Sequence, residues 1–195
     1  AYWIAIFHVL THGFFKACLF LFAGSVIHSC HHQQDMRKMG GLRKFMPFTF
    51  MAFTFATLAI SGLAPFAGYY SKHLILESFA VYSATSTVSY WLSPSFLGNL
   101  LGLTSLLTAF YMGRCWILTF FGEYKGEEKS APPHEAPLVM TIPVITLGLF
   151  SIIVGYLLMT ILPKYLSSLF PLFTQNPTHQ GFLMDFLHSV PAAIA

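Results

Sequence analysis

Long apolar segments separated by short polar ones make up most of this 195-residue chain. Several of the apolar segments exceed about 18 residues, the length at which an α-helix can cross the hydrocarbon core of a bilayer. The pattern therefore predicts an all-α protein, a polytopic bundle of transmembrane helices. The apolar segments cover roughly residues 1–27, 45–63, 67–81, 96–121, 137–162 and 182–195.

The third apolar segment is shorter than the others and begins within the run SGLAPFAG. It is either a separate span or the second half of a helix that starts near residue 45. Basic loop residues separate these possibilities, because they collect on the inner face of a membrane. If residues 45–85 form one interrupted helix, six basic residues lie in loops on one face and only Lys164 lies on the other. The charge pattern favours this broken helix. The six residues are Arg37, Lys38, Arg43, Lys44, Lys125 and Lys129.

The predicted break contains residues that interrupt helices. Pro65 removes a backbone donor, and Gly62 and Gly68 permit conformations that branched residues resist. Unpaired backbone groups at membrane depth are tolerated only where they are buried in protein or line a wet cavity. Broken helices of this kind mark ion sites in transporters. A kink that only aids helix packing is the alternative.

Composition supports a membrane protein, since 55% of the residues are hydrophobic and 9% are charged. The net charge of +3 lies mostly in loops, which leaves no basic face for a nucleic acid. Cys18, Cys30 and Cys115 are scattered, so they indicate neither a disulfide framework nor a thiolate metal site. Because the chain starts within an apolar run and without methionine, we expect residues 1–195 to be one transmembrane domain of a longer polypeptide.

Three ionisable residues lie four positions apart in the first apolar segment: His8, His12 and Lys16. On a helix they share one face and extend over roughly 12 Å. A charged group inside a bilayer costs several kcal/mol unless it faces protein, water or a partner charge. A metal site is disfavoured, because no glutamate follows His8 and Lys16 repels a cation. The pattern indicates a proton or ion path.

Histidine suits proton transfer because it both accepts and donates protons near neutral pH. A lysine buried away from water can exchange its proton in the same range. Lys16 and Lys72 are therefore the best candidates for proton carriers, and His8 and His12, with Thr11 beside them, extend the path along the first helix. The alternative is that these residues only join packed helices by hydrogen bonds.

Three further ionisable residues are candidates for supporting roles: His73, Glu77 and Arg114. Arg114 lies within an apolar span and keeps its proton, so it fixes a counter-charge, sets the potential or reaches the headgroups. Glu77 follows His73 by four residues, so it either modulates Lys72 or points to the surface.

Four stretches of the chain resemble one family in family order. They are FHVLTHGFFKACLFLFAGSVIH, DMRKMGGLRKFMP, LAISGLAPFAGYYSKHLILE and TAFYMGRCWILTFFGEYKG. They are similar to the L-type, antiporter-like membrane subunits of respiratory complex I, which include mitochondrial NADH dehydrogenase subunit 5. The resemblance covers residues 1–130 well and the remainder loosely.

The resemblance implies a fold and a set of site residues. Members of the family are helix bundles with two inverted repeats, each containing a broken helix, and this chain resembles the second repeat. The family's central histidines and lysine match His8, His12 and Lys16, and its broken-helix lysine matches Lys72. An acidic residue usually follows that lysine, whereas this chain has His73.

The resemblance also implies partners and cofactors. The protein is expected to move protons in the membrane arm of an NADH:quinone oxidoreductase, with FMN, iron–sulfur clusters and quinone held by other subunits and none on this chain. It is expected in a bacterial plasma membrane, with the mitochondrial inner membrane as the second choice. Two alternatives stay open: a subunit of the related multisubunit sodium/proton antiporters, and a noncatalytic structural membrane subunit.

Overall fold

A computed structural model describes residues 2–83, 93–126 and 132–169. Within these ranges the chain forms helices and no strand, which confirms the predicted all-α class. The helices are α1 (Tyr2–Ser29), α2 (Pro47–Ser61), α3 (Ala67–Ser83), α4 (Pro94–Phe120) and α5 (Leu138–Leu169). The predicted segment 182–195 lies outside the described residues.

Three helices are long and apolar enough to cross a membrane: α1, α4 and the Leu138–Leu162 part of α5. By contrast, α2 has 15 residues and is about 22 Å long at helical rise, short of the ~30 Å hydrocarbon core. The chain is an integral membrane protein whose α2 ends before it has crossed the bilayer.

The break between α2 and α3 covers residues 62–66. Gly62 ends α2 in the left-handed region, with φ 80°, and its N–H bonds to the carbonyl of Ala59 at 3.0 Å. The Leu63 N–H bonds to the Leu58 carbonyl at 3.2 Å, and the Ala64–Pro65 peptide is cis. The broken helix predicted over 45–85 is therefore present, with its interruption at the predicted run.

Gly68 has a different role from the one its sequence context suggests. It lies within the first turn of α3, and a Cβ atom there would come 1.8 Å from the carbonyl oxygen of Ala59. Its backbone needs no left-handed conformation. Gly68 is therefore required for the close contact between α3 and α2, and the expectation of special backbone freedom was wrong for this glycine.

The core lies where α1 meets α2, α4 and α5. Phe22 of α1 stacks on Phe53 of α2 with ring centroids 3.8 Å apart, and Phe120 of α4 lies 5.6 Å from both. Trp116 of α4 donates its indole N–H to the Thr54 hydroxyl of α2 at 2.9 Å. These contacts fix α4 against the first two helices near one end of the bundle.

Two loops meet at that same end. The Gly41 N–H donates to the Phe121 carbonyl at 3.1 Å, which joins the loop after α1 to the end of α4. The Glu135 carboxylate accepts from the Phe48 N–H at 3.1 Å and from the Thr49 hydroxyl, and so caps the start of α2. Residues 30–46 and the described parts of the second loop, 121–126 and 132–137, thus lie on one side.

This arrangement requires α2 and α3 together to cross the bilayer once. The basic residues of the first loop and Lys125 then lie on one face, as the charge pattern predicts; Lys129 lies outside the described residues. The prediction for Lys164 was wrong in detail. Lys164 is in α5, which continues to Leu169, rather than in a loop after residue 162.

Candidate functional site

The predicted stripe on α1 lies along one face of the helix. The rings of His8 and His12 are 5.8 Å apart between centroids, and both side chains are half-buried. The Lys16 amine lies 5.5 Å from the ring centroid of Phe20, one turn further on, in a cation–π contact. The α-helical period explains this arrangement, because positions four apart stack on the same face.

Lys72 reaches from α3 back to the end of α2. Its amine donates to the Ile60 carbonyl at 2.5 Å. Because Gly62 and Leu63 occupy the carbonyls of Ala59 and Leu58, the break leaves the Ile60 carbonyl for a side-chain donor. A cation is stabilised at the negative end of a helix dipole. The interruption therefore creates the binding position for this lysine.

One cavity of about 270 Å³ brings the four predicted proton carriers together. It extends from the middle of α1 towards the N-terminal end of that helix, on the side away from the basic loops. None of the described lining residues is a carboxylate. The lining comprises His8, His12, Phe15, Lys16, Ile60, Lys72, Ile75, Leu76, Leu101, Thr104, Ser105, Thr108 and Tyr111.

The wall contributed by α4 was missed by the sequence reasoning. Thr104, Ser105 and Thr108 line the cavity opposite the lysines' helices. Thr104 donates to the Leu100 carbonyl at 2.7 Å and Thr108 to the Thr104 carbonyl at 2.8 Å, so their oxygens remain available as acceptors. The signal was present, because hydroxyl residues four apart in an apolar helix share one face.

Ser71 was also missed, although it directly precedes Lys72. It is fully buried, and its hydroxyl lies 3.0 Å from the Nδ1 atom of His8. The same hydroxyl lies 3.4 Å from the Gly68 carbonyl. Ser71 thereby joins α3 to the stripe on α1, a contact that spacing along either helix does not reveal.

Thr11 and Pro65, two of the predicted supporting residues, lie in different parts of the structure. Thr11 is fully buried and donates to the carbonyls of Phe7 and His8 within its own helix, at 3.1 and 3.0 Å. Pro65 lies in the break between α2 and α3. Neither is part of the cavity lining.

His73, Glu77 and Arg114 also lie outside the cavity lining. His73 is exposed on α3, stacks on Tyr69 with centroids 5.7 Å apart, and places Nε2 3.4 Å from the Glu77 carboxylate. Arg114 is exposed on α4, six residues before the end of that helix. The structure therefore pairs Glu77 with His73 and leaves Arg114 outside the cavity lining.

In the part of the chain that the structure describes, no three histidine, cysteine, aspartate or glutamate side chains group as metal ligands. The cavity instead combines amines, imidazoles and hydroxyl oxygens. Amines and imidazoles exchange protons, and hydroxyls bridge them by hydrogen bonds or through water. The chemistry that this arrangement supports is proton transfer.

Known relatives match most of the chain. Subunit L of the NADH-quinone oxidoreductase of Mycobacterium tuberculosis is 50% identical over 157 residues, which are 80% of this chain and 24% of the relative. Chain 5 of the NADH-ubiquinone oxidoreductase of Allomyces macrogynus is 44% identical over 158 residues, again 80% of this chain and 23% of the relative. This chain thus spans about a quarter of the length of these relatives.

The family match covers the site itself. Residues 1–98 match the protein family described as "NADH:quinone oxidoreductase/Mrp antiporter, TM". That range includes the histidine and lysine stripe of α1, the break at residues 62–66 and Lys72. Together with the arrangement of the helices, the match shows that this chain belongs to the NADH:quinone oxidoreductase/Mrp antiporter family of membrane proteins.

Proposed function

We propose that this chain is part of a proton-translocating membrane-arm subunit of an NADH:quinone oxidoreductase. The observation that carries the proposal is the shared cavity, in which Lys16 of α1 and Lys72 of α3 meet His8 and His12. Relatives that are named as subunits of this enzyme, with 50% and 44% identity, support the choice of complex.

In this proposal the two lysines are protonated alternately. Like charges that share one cavity oppose each other, so a proton on one amine disfavours a proton on the other. Among the described residues, the lining contains no carboxylate to offset a second positive charge. His8 and His12 pass protons between the lysines and the medium, and the hydroxyls of α4 bind the water that completes the path.

Lys72 lies between two opposing influences. The Ile60 carbonyl and the end of α2 stabilise its protonated form, whereas partial burial stabilises the neutral amine. A proton carrier must be able to adopt both its protonated and its neutral form. His73 replaces the acidic residue usual in the family and pairs with Glu77 one turn away, so we propose that the Glu77 carboxylate supplies the negative charge that position 73 lacks.

We further propose that the driving redox chemistry takes place on other subunits. Those subunits hold FMN, iron–sulfur clusters and quinone, while this chain holds no cofactor and contacts other membrane-arm subunits and lipid. Relatives named as subunit L and as chain 5 are 50% and 44% identical, so we propose a bacterial plasma membrane or a mitochondrial inner membrane.

The proposal is tested by Lys16→Ala and Lys72→Ala in the complete complex, reconstituted in sealed vesicles. Protons moved per NADH oxidised are expected to fall in both variants, because each removes a carrier. Lys125→Ala, which removes an exposed loop lysine, is the matched control and is expected to pump normally.

If both cavity variants assemble fully and pump with the ratio and rate of the unmodified complex, the proposed path is wrong. Composition of the purified complex separates the remaining candidates. Redox subunits that copurify support the oxidoreductase, whereas copurification of small antiporter subunits alone indicates the sodium/proton antiporter branch of the family.

A further inference from the structure

The contact between Ser71 and His8 joins a buried hydroxyl to a proposed proton carrier on another helix. Oγ of Ser71 lies 3.0 Å from Nδ1 of His8, within the range of a normal N–H···O hydrogen bond. Ser71 is fully buried, whereas His8 is half-buried and lines the cavity. The contact therefore engages the ring from the protein interior.

The Gly68 carbonyl gives the serine hydroxyl a second partner, at 3.4 Å. A serine hydroxyl donates one hydrogen and accepts through two lone pairs. When Nδ1 carries a hydrogen, it donates that hydrogen to Ser71, and Ser71 directs its own hydrogen to Gly68. This arrangement serves protonated His8 and the neutral tautomer that carries its hydrogen on Nδ1 alike.

The second ring nitrogen, Nε2, then carries the exchange. Protonated His8 loses the hydrogen on Nε2, the electron pair of the broken N–H bond stays on that nitrogen, and the proton passes to the next acceptor along the cavity. Nothing on the Ser71 side has to move. The ring centroid of His12 lies 5.8 Å from that of His8.

Other hydroxyls near the site make a different kind of contact. Thr11 donates to carbonyls of its own helix, and Ser78 of α3 donates to the Ile75 carbonyl at 2.7 Å, also within its helix. Such bonds satisfy a hydroxyl locally. Ser71 instead spans from α3 to α1 and ends on a titratable ring.

We propose that Ser71 is a positioning residue that accepts the Nδ1 hydrogen of His8 and so assigns proton exchange to Nε2. The inference rests on the proposed function, since it matters only if His8 carries protons. Replacement of Ser71 leaves the ring free to rotate and to place either nitrogen towards the cavity, which slows transfer without removing a carrier.

The test uses Ser71→Ala and Ser71→Cys in the complete complex in sealed vesicles. Cysteine nearly preserves size but is a weak hydrogen-bond partner, so it remains informative if alanine disturbs assembly. We expect either variant to lower the rate of proton translocation about two- to tenfold, the effect of losing one hydrogen bond. Ser78→Ala on the same helix is the control and is expected to leave the rate unchanged.

A double-mutant cycle separates positioning from simple packing. If Ser71 acts through His8, Ser71→Cys is expected to have little further effect in a His8→Ala background. Equal losses in both backgrounds, or Ser71→Cys with the unmodified rate, would overturn the inference. If Lys16→Ala and Lys72→Ala lose pumping while Ser71→Cys pumps normally, only the positioning role of Ser71 is rejected. Normal pumping in both lysine variants would reject the proposed function itself.

Discussion

The two lysines of the cavity are held by different kinds of contact. Lys72 donates to a backbone carbonyl at 2.5 Å, while Lys16 lies 5.5 Å from the centroid of an aromatic ring. A carbonyl is a directional acceptor, whereas a ring face attracts a cation with less directional restraint. Lys72 is therefore the more tightly positioned of the two amines.

This contact leads to a prediction for Lys72→Arg. Arginine keeps the positive charge and the donor for the Ile60 carbonyl, but it does not release its proton in a protein. We expect the variant to assemble and to lose proton translocation as Lys72→Ala does, measured as protons per NADH in sealed vesicles. Arginine with normal pumping would show that position 72 needs a charge and not a proton carrier.

At the residue scale, sequence reasoning found the groups that a helix period or a family motif displays. His8, His12 and Lys16 follow from positions four apart, and Lys72 follows from its place behind the break. Ser71 and the Ile60 carbonyl do not, because their roles depend on which helix packs beside them. A contact between two helices leaves no periodic pattern in the sequence of either helix.

At the scale of elements, the position of the first turn of α3 depends on glycine, which has no side chain, at residue 68. Gly68 lets the backbone of α3 approach the Ala59 carbonyl so closely that a Cβ would lie 1.8 Å away. This approach keeps Lys72, one turn further along, beside the end of α2. A side chain at position 68 must push the two half-helices apart.

Gly68→Ala is therefore expected to destabilise the subunit by about 1–3 kcal/mol, the usual cost of overpacking, and to reduce proton translocation. The measurements are the yield of the subunit in the purified complex and the temperature at which it dissociates. Gly102→Ala in α4 is the matched control, because nothing lies within 4 Å of a Cβ at that position. Equal behaviour of the two variants would contradict the packing argument.

Helix bounds show where hydropathy is informative and where it is not. The broken helix was predicted because a short apolar segment, helix-interrupting residues and loop charges agree. The end of α5 was not predicted, because apolar character falls near residue 162 while the helix continues to Leu169. Hydropathy reports the hydrocarbon boundary, and a helix can extend beyond it into water.

At the scale of the whole molecule, the joined loops define a topology. The bond between Gly41 and Phe121 and the capping of α2 by Glu135 place the loops after α1 and α4 on one face. Ser93, at the start of α4, then lies on the opposite face. The orientation follows from the charge rule, with the basic face inside.

Single cysteines test this topology after Cys18, Cys30 and Cys115 are replaced by serine. A membrane-impermeant maleimide is expected to label Lys38→Cys and Lys125→Cys from the same side of sealed vesicles, and Ser93→Cys from the other side. Leu103→Cys, within the apolar part of α4, is the control and is expected to stay unlabelled. Labelling of positions 38 and 125 from opposite sides would mean that α2 and α3 cross the bilayer separately.

The bond from Lys72 to the Ile60 carbonyl also gives the protein a vibrational reporter of its own state. A protonated amine is a stronger donor than a neutral one, and a stronger hydrogen bond weakens the C=O bond that accepts it. The amide stretch of Ile60 therefore moves to higher frequency when Lys72 gives up its proton. With ¹³C at that one carbonyl, infrared difference spectra can follow the charge of Lys72 in the working complex without an added probe.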